Sequence, residues 1–192
     1  APYYTETESY SGAEAYSPAG YLPEGTYTEF DDKTLKRPAD VFVDERDRLF
    51  ISDEGNKRVV MSTLEGEWLR TFGEKELKQP GGIYARNDRL YVADIKLRQV
   101  LVYDTENGEM LFALEHPGTP LYGVNARFEP LKVAVDAAGG MYVISKGNTN
   151  GIAQFSADGT FLGYFGANDT SLSLGEMLKR LTYTEEQLAQ LK

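Results

Sequence analysis

Two short clusters of polar side chains recur at nearly the same place in successive stretches: Asp53, Asn56 and Arg58 in "SDEGNKR", and Asp94 with Arg98 in "ADIKLRQ". A carboxylate followed at short range by an amide and a guanidinium can hold a cation, orient a substrate, or close a turn by accepting backbone N–H groups. A catalytic group is needed once, whereas a residue that closes a turn or joins neighbouring units is needed in every unit. The repetition assigns Asp53, Asn56, Arg58, Asp94 and Arg98 to structure, with Leu97 near the position of Asn56.

A third stretch breaks the pattern. Ser145 stands where the aspartate was, and "SKGNTNG" offers Lys146, Asn148 and Asn150 in a loop without arginine. Amides both donate and accept, so these suit sugar hydroxyls or a peptide backbone; the same residues also read as a long Asn-Gly hairpin. Just upstream, "HPGTPLYGVNARF" is surplus to the other two stretches and brings His116, Tyr122, Asn125, Arg127 and Phe128. Loops held on a rigid scaffold often carry binding, and an insertion can equally pack over a sheet edge. The candidate binding residues are Lys146, Asn148, Asn150, Lys96, Tyr122, Asn125 and Arg127.

No acid–base or nucleophile constellation stands out. With 1 His and no Cys, a multi-His or thiolate zinc site cannot form within one chain. Asp and Glu are plentiful enough for an oxygen-ligated cation, but no Asp-x-Asp-x-Asp loop is present. We therefore expect no catalytic residue and no cofactor, and a role in binding a protein, peptide or carbohydrate.

The chain of 192 residues is 41% apolar, enough for one sizeable core, and no run approaches the ~18 apolar residues of a membrane span. Its net charge of -10 repels phosphate backbones, so nucleic acid is not an expected partner. Without cysteine, stability must come from packing rather than disulfides.

The elements that would position these residues are strands. Each unit opens with a proline (Pro38, Pro80, Pro130), continues through "DVFVD", "GIYAR" or "KVAVD", and turns into "LFIS", "LYVA" or "MYVI". After a second turn come "RVVMS", "QVLVY" and "IAQFS", then a Gly-containing turn and "WLRTFG", "MLFAL" or "FLGYFG". Runs rich in Val, Ile, Tyr and Phe, separated by Gly, Asp and Asn, read as antiparallel strands with tight hairpins. Four strands in about 40 to 45 residues is the spacing of a propeller blade. Trp68, in the last strand of the first unit, is expected to pack between blades.

"P-x-x-V-x-V-D", "LFISDEGNKRVV" and "LYVADIKLRQV" resemble NHL repeats, over residues 37 to 169. The resemblance implies an all-β fold, an NHL-type β-propeller present in part: three four-stranded blades of a ring of about six. The whole chain also resembles extracytoplasmic NHL proteins of Gram-positive bacteria, through "APYY" at residues 1–4 and "YLPE" at 21–24. It implies a secreted or surface-attached binding module with its signal peptide removed, in keeping with Ala1 and Pro2 in place of an initiating Met. Some propellers of related build are hydrolase-, lactonase- or lyase-like enzymes with an oxygen-ligated divalent metal, and that is the alternative reading.

The expected organisation is an extended Tyr-rich arm over 1–36 with one extra strand at Tyr21 to Phe30, blades over 37–169, and a helical segment over 170–192. In the last, Leu174, Leu178 and Leu181 keep helical spacing, and Thr184 with Gln187 makes a capping box. Three blades leave two apolar faces wet. The chain is therefore expected to be the first half of a longer polypeptide continuing past Lys192, with self-association hiding the faces.

Overall fold

Residues 4–8, 10–18, 25–123 and 125–166 are described in the computed structural model, with the backbone alone for 4–8 and 14–18. The helices expected over 170–192 lie outside the described residues. Within them the repeating runs form three four-stranded antiparallel sheets. The first comprises β5 (Pro38–Val43), β6 (Arg48–Asp53), β7 (Arg58–Thr63) and β8 (Trp68–Phe72). The second comprises β9 (Pro80–Arg86), β10 (Arg89–Asp94), β11 (Gln99–Asp104) and β12 (Met110–Leu114). The third comprises β13 (Pro130–Val135), β14 (Met141–Ser145), β15 (Ile152–Phe155) and β16 (Phe161–Phe165).

Strand order follows sequence order in each sheet, as consecutive hairpins require. The opening strands β5, β9 and β13 lie side by side and so mark the inner edge. Each unit-opening proline begins its strand at a bulge, between Pro38 and Asp40, opposite Val92 and Asp94, and between Pro130 and Lys132. A residue without an N–H is tolerated at a strand start and at a bulge, so the prolines set where pairing begins.

The core lies between sheets rather than within them. Phe50, Val59, Met61 and Phe72 of the first blade pack on Ile83, Leu90, Val92, Leu101 and Tyr103 of the second. The other side of the second blade, Tyr91, Ala93, Val100 and Val102, meets Val133, Met141, Val143, Phe155 and Phe161 of the third. The middle strands are buried on both faces, so β6, β7, β10 and β11 read as nearly solid apolar runs instead of alternating ones.

Two expectations about the N-terminal region need correction. The arm folds back on itself as a hairpin, β1 (Tyr4–Glu8) against β2 (Glu14–Pro18), turning where Gly12 takes φ +72. The strand expected over Tyr21 to Phe30 is only β3 (Glu29–Phe30), paired with β4 (Lys33–Thr34), and its start lies outside the described residues. Instead of extending a sheet, this small hairpin sets Phe30, with Leu35, on Ile51, Leu49 and Val60, covering part of the first blade's free side. Trp68 is 46% exposed and donates its Nε1–H to Thr71 Oγ1, so it does not fill a blade interface.

Candidate ligand-binding face

In each blade the second strand ends beside the start of the first and the start of the third, as the pairs Asp53↔Pro38 and Asp53↔Arg58 show. All turns between second and third strands, and all connections entering a blade, therefore emerge on one face. That face collects the repeated polar residues, the "KGNTN" loop and the inserted segment.

Asp53 and Arg58 are fully buried as an ion pair, with Nε 2.9 Å from Oδ2. Asp53 Oδ1 accepts the N–H of Lys36, and Oδ2 also accepts Asn56 Nδ2. Arg58 Nη2 donates to the carbonyls of Phe30 and Lys33, and Asn56 Nδ2 reaches the carbonyl of Thr34. The triad holds the segment that enters its own blade, with the carboxylate and the Nε and Nη2 of the guanidinium occupied in doing so, while the buried Nη1 has no partner among the described residues.

In the second blade Asp94 accepts four backbone N–H bonds, from Lys78 and Gln79 on Oδ2 and from Lys96 and Leu97 on Oδ1. Here the sequence alignment shifts by one. Gln99, not Arg98, pairs with Asp94 as Arg58 pairs with Asp53. Arg98 occupies the left-handed turn position of Lys57, at φ +61 against +57, which points it outward. The likeness to Asn56-x-Arg58 misled because the turn tolerates a cation at either of two adjacent positions. Four N–H donors satisfy Asp94 without a guanidinium.

The third blade replaces the carboxylate with Ser145, whose buried hydroxyl makes no hydrogen bond among the described residues. Its entering connection, 115–129, has lost the carboxylate anchor and is held otherwise. The N–H of Lys146 donates to the carbonyl of Glu129, and the Tyr164 hydroxyl donates to the carbonyl of Tyr122 at 2.7 Å. Asn148 Nδ2 donates to that same hydroxyl, and Asn148 Oδ1 accepts the N–H of Asn150. Burial raises the Tyr164 pKa above the ordinary tyrosine value, with the Asn148 hydrogen bond opposing the shift.

Tyr122, a candidate binding residue, is fully buried and cannot meet a ligand. Its ring lies among His116, Phe128, Phe161 and Tyr164 at centroid distances of 4.9 to 6.0 Å. The insertion needed an apolar peg to replace the missing anchor, and Tyr122 is that peg. His116 accepts the N–H of Gly118 on Nδ1.

The remaining candidates separate cleanly. Asn125, Arg127 and Lys146 line one cleft of about 400 Å³ with Ala126, Glu129 and Gly147. Arg98 comes to the same group, its Nη2 4.0 Å from Glu129 Oε1, while Arg127 Nη1 lies 3.8 Å from that atom. Lys146 Nζ has no ion-pair partner among the described residues. Lys96 is exposed in the turn that carries Arg98. Glu129, the carboxylate that organises the cations, was not singled out from sequence; its place immediately before Pro130, where a connection enters its blade, was the available signal.

Among the described residues no three His, Asp or Glu side chains gather to hold a metal, and no helix is long and apolar enough to cross a membrane.

No protein-family model matches the sequence, and no curated protein matches it either. Among solved structures the chain is similar to hydrazine synthase of Kuenenia stuttgartiensis, with TM-score 0.56, 17% identity, and coverage of 77% of this chain and 40% of that one. It is similar to a streptogramin B lyase, with TM-score 0.54, 15% identity and coverage of 86% and 49%. It is also similar to the virginiamycin B lyase of Staphylococcus aureus, with TM-score 0.51, 10% identity and coverage of 83% and 47%. These are propeller proteins, and at such identities the likeness is one of fold. Over the described residues the chain is an all-β, partial β-propeller of three blades, and it spans less than half the length of these three structures.

Proposed function

We propose that this is an extracellular or surface-attached, non-enzymatic binding module of NHL-repeat type, akin to the Gram-positive proteins that its "APYY" and "YLPE" stretches resemble. One observation carries the reading. Arg127 and Asn125 from the inserted loop converge with Lys146 from the third blade's turn on one cleft, while Asp53, Asn56, Arg58 and Asp94 are engaged in holding connections. Loops presented on a rigid scaffold are where recognition is expected. The enzymatic alternative rests on a fold likeness to two lyases at 10% and 15% identity, and no observed constellation favours it.

The test is a glycan and peptide array probed with the intact chain and with Asn125, Arg127 and Lys146 changed together to Ala. Loss of binding with an unchanged melting temperature supports the reading. Equal binding by the triple variant overturns it.

A separate observation bears on assembly. Val41 and Val43 on the first blade's free side, and Ile144, Leu162 and Phe165 on the third's, are 45% to 63% exposed. The matched propellers are more than twice the share this chain covers, so a second copy of this chain supplies the right amount of structure to cover both faces. Light scattering is expected to give twice the chain mass, and Ile144→Glu with Leu162→Glu to return it to one. A stable monomer of the unaltered chain at micromolar concentration overturns the assembly.

A further inference from the structure

We propose, resting on the binding reading above, that the cleft between the inserted loop and the third blade takes the carboxylate of an acidic sugar. The chain holds 30 acidic against 20 basic side chains, yet the cleft is lined by two cations, Arg127 and Lys146, and a single carboxylate, Glu129, which Arg98 also approaches from the neighbouring turn. That carboxylate does not saturate them. Both guanidinium groups approach the same Glu129 oxygen at only 3.8 and 4.0 Å, and their side chains are 76% and 66% exposed. The other carboxylates of these connections are engaged: Asp94 by four backbone N–H groups, and Glu115 by Gln99 Nε2 at 2.5 Å.

The rest of the lining selects among anions. A long polyanion such as nucleic acid meets the repulsion of the whole acidic chain, whereas a short ligand that sets one carboxylate in the cleft meets chiefly the local cations. An arginine fork matches a carboxylate with two parallel hydrogen bonds. Among the described residues no aromatic ring and no aliphatic side chain larger than Ala126 lines the cleft. It therefore has neither a platform for stacking a neutral sugar nor a pocket for an apolar peptide side chain. Asn125 stands exposed beside Arg127, its amide without a partner among the described residues, and an amide both donates to and accepts from vicinal hydroxyls. A uronic acid presents a carboxylate next to such hydroxyls.

The experiment is calorimetric titration of the intact chain with a trisaccharide of galacturonic acid and with its neutral galactose counterpart, at low salt. The acidic trisaccharide is expected to bind at least about tenfold more tightly than the neutral one. Arg127→Gln and Lys146→Gln should each weaken it about tenfold. Glu129→Gln should strengthen it by removing the competing carboxylate, and it leaves the backbone carbonyl that Lys146 uses. Equal affinity for the neutral sugar overturns the inference and leaves the binding reading standing. So does a peptide with a free C-terminal carboxylate that binds as tightly as the uronide. Uronide binding that ignores both substitutions places the site elsewhere and overturns the inference. If no uronide binds while the array finds another ligand that the triple variant loses, the sugar assignment fails and the binding reading survives. If nothing binds in either experiment, both fail.

Discussion

Lys132 Nζ of the third blade lies 2.5 Å from Asp40 Oδ2 of the first, so the outer two blades are tied across the inner strand of the middle one. Asp40 Oδ2 also accepts the N–H of Ile83 on that middle strand. The close approach requires Gly82, since a Cβ there would come within 2.6 Å of the Leu131 carbonyl and 2.8 Å of Lys132 Cα. Gly82→Ala should cost ~1–3 kcal/mol through backbone crowding. Lys132→Met removes a half-exposed charge and should cost under ~1 kcal/mol. Urea denaturation of both variants checks this, and a Gly82→Ala protein as stable as the parent would sink it.

Arg58 and Arg98 looked equivalent in the sequence and are opposites in the structure. Arg58→Ala strands the buried Asp53 and frees the Phe30 and Lys33 carbonyls, so a loss of ~3–5 kcal/mol is expected. Arg98→Ala touches an exposed side chain and should stay within ~0.5 kcal/mol. Hydrogen exchange should also show the hairpin around Phe30 and Lys33 opening in the first variant and not in the second.

The Tyr103 hydroxyl is buried with no hydrogen-bond partner among the described residues. Burial pushes its pKa up, with Glu76 and Asp94 adding to the shift. A hydroxyl whose folded pKa is raised contributes stability that is complete below the unfolded value, ~10, and is lost as pH rises through the folded one. Unfolding midpoints measured from pH 8 upward should therefore fall beyond about pH 10. Tyr103→Phe should blunt that fall and, by removing an unsatisfied group, leave neutral-pH stability unchanged or higher by ~1–3 kcal/mol. A clear loss at neutral pH would show an unseen partner for the hydroxyl.

Asn148 and Asn150 were paired as candidates, and Asn148 donates to the Tyr164 hydroxyl that holds the inserted loop. Asn148→Ala should cost about 1 kcal/mol, measured by thermal unfolding, and loosen residues 116–128 in hydrogen exchange. Asn148→Asp keeps the acceptor for Asn150 and should retain part of that protection. If Asn148→Ala leaves the loop as protected as before, the Tyr164 bridge is not what fixes it.

The blades were legible because their signals are local: a proline to start, an apolar run, a Gly or Asp turn, repeated three times. The site was legible only in part, because its members meet through tertiary contacts. Arg127 and Lys146 stand far apart in sequence, and nothing local says that they share a cleft. Tyr122 has the composition of a binding residue and the environment of a core one. That difference lies in Phe128, Phe161 and Tyr164, which reach it only once the third blade has folded. Arg98 was misplaced because a one-residue shift in a turn reverses which side of the sheet a side chain takes, and no composition marks the shift.

Because the two large apolar layers each lie between two blades, a single blade has no interior of its own. During synthesis the first layer cannot close until Leu101 and Tyr103 have left the ribosome, and the second must wait for Phe155 and Phe161. The nascent chain thus passes through a stage in which Phe50, Val59 and Phe72 are complete as strands and still wet. A pause in translation before Leu90 would prolong that stage. Slow-codon placement there should lower the soluble yield more than the same placement after Phe161.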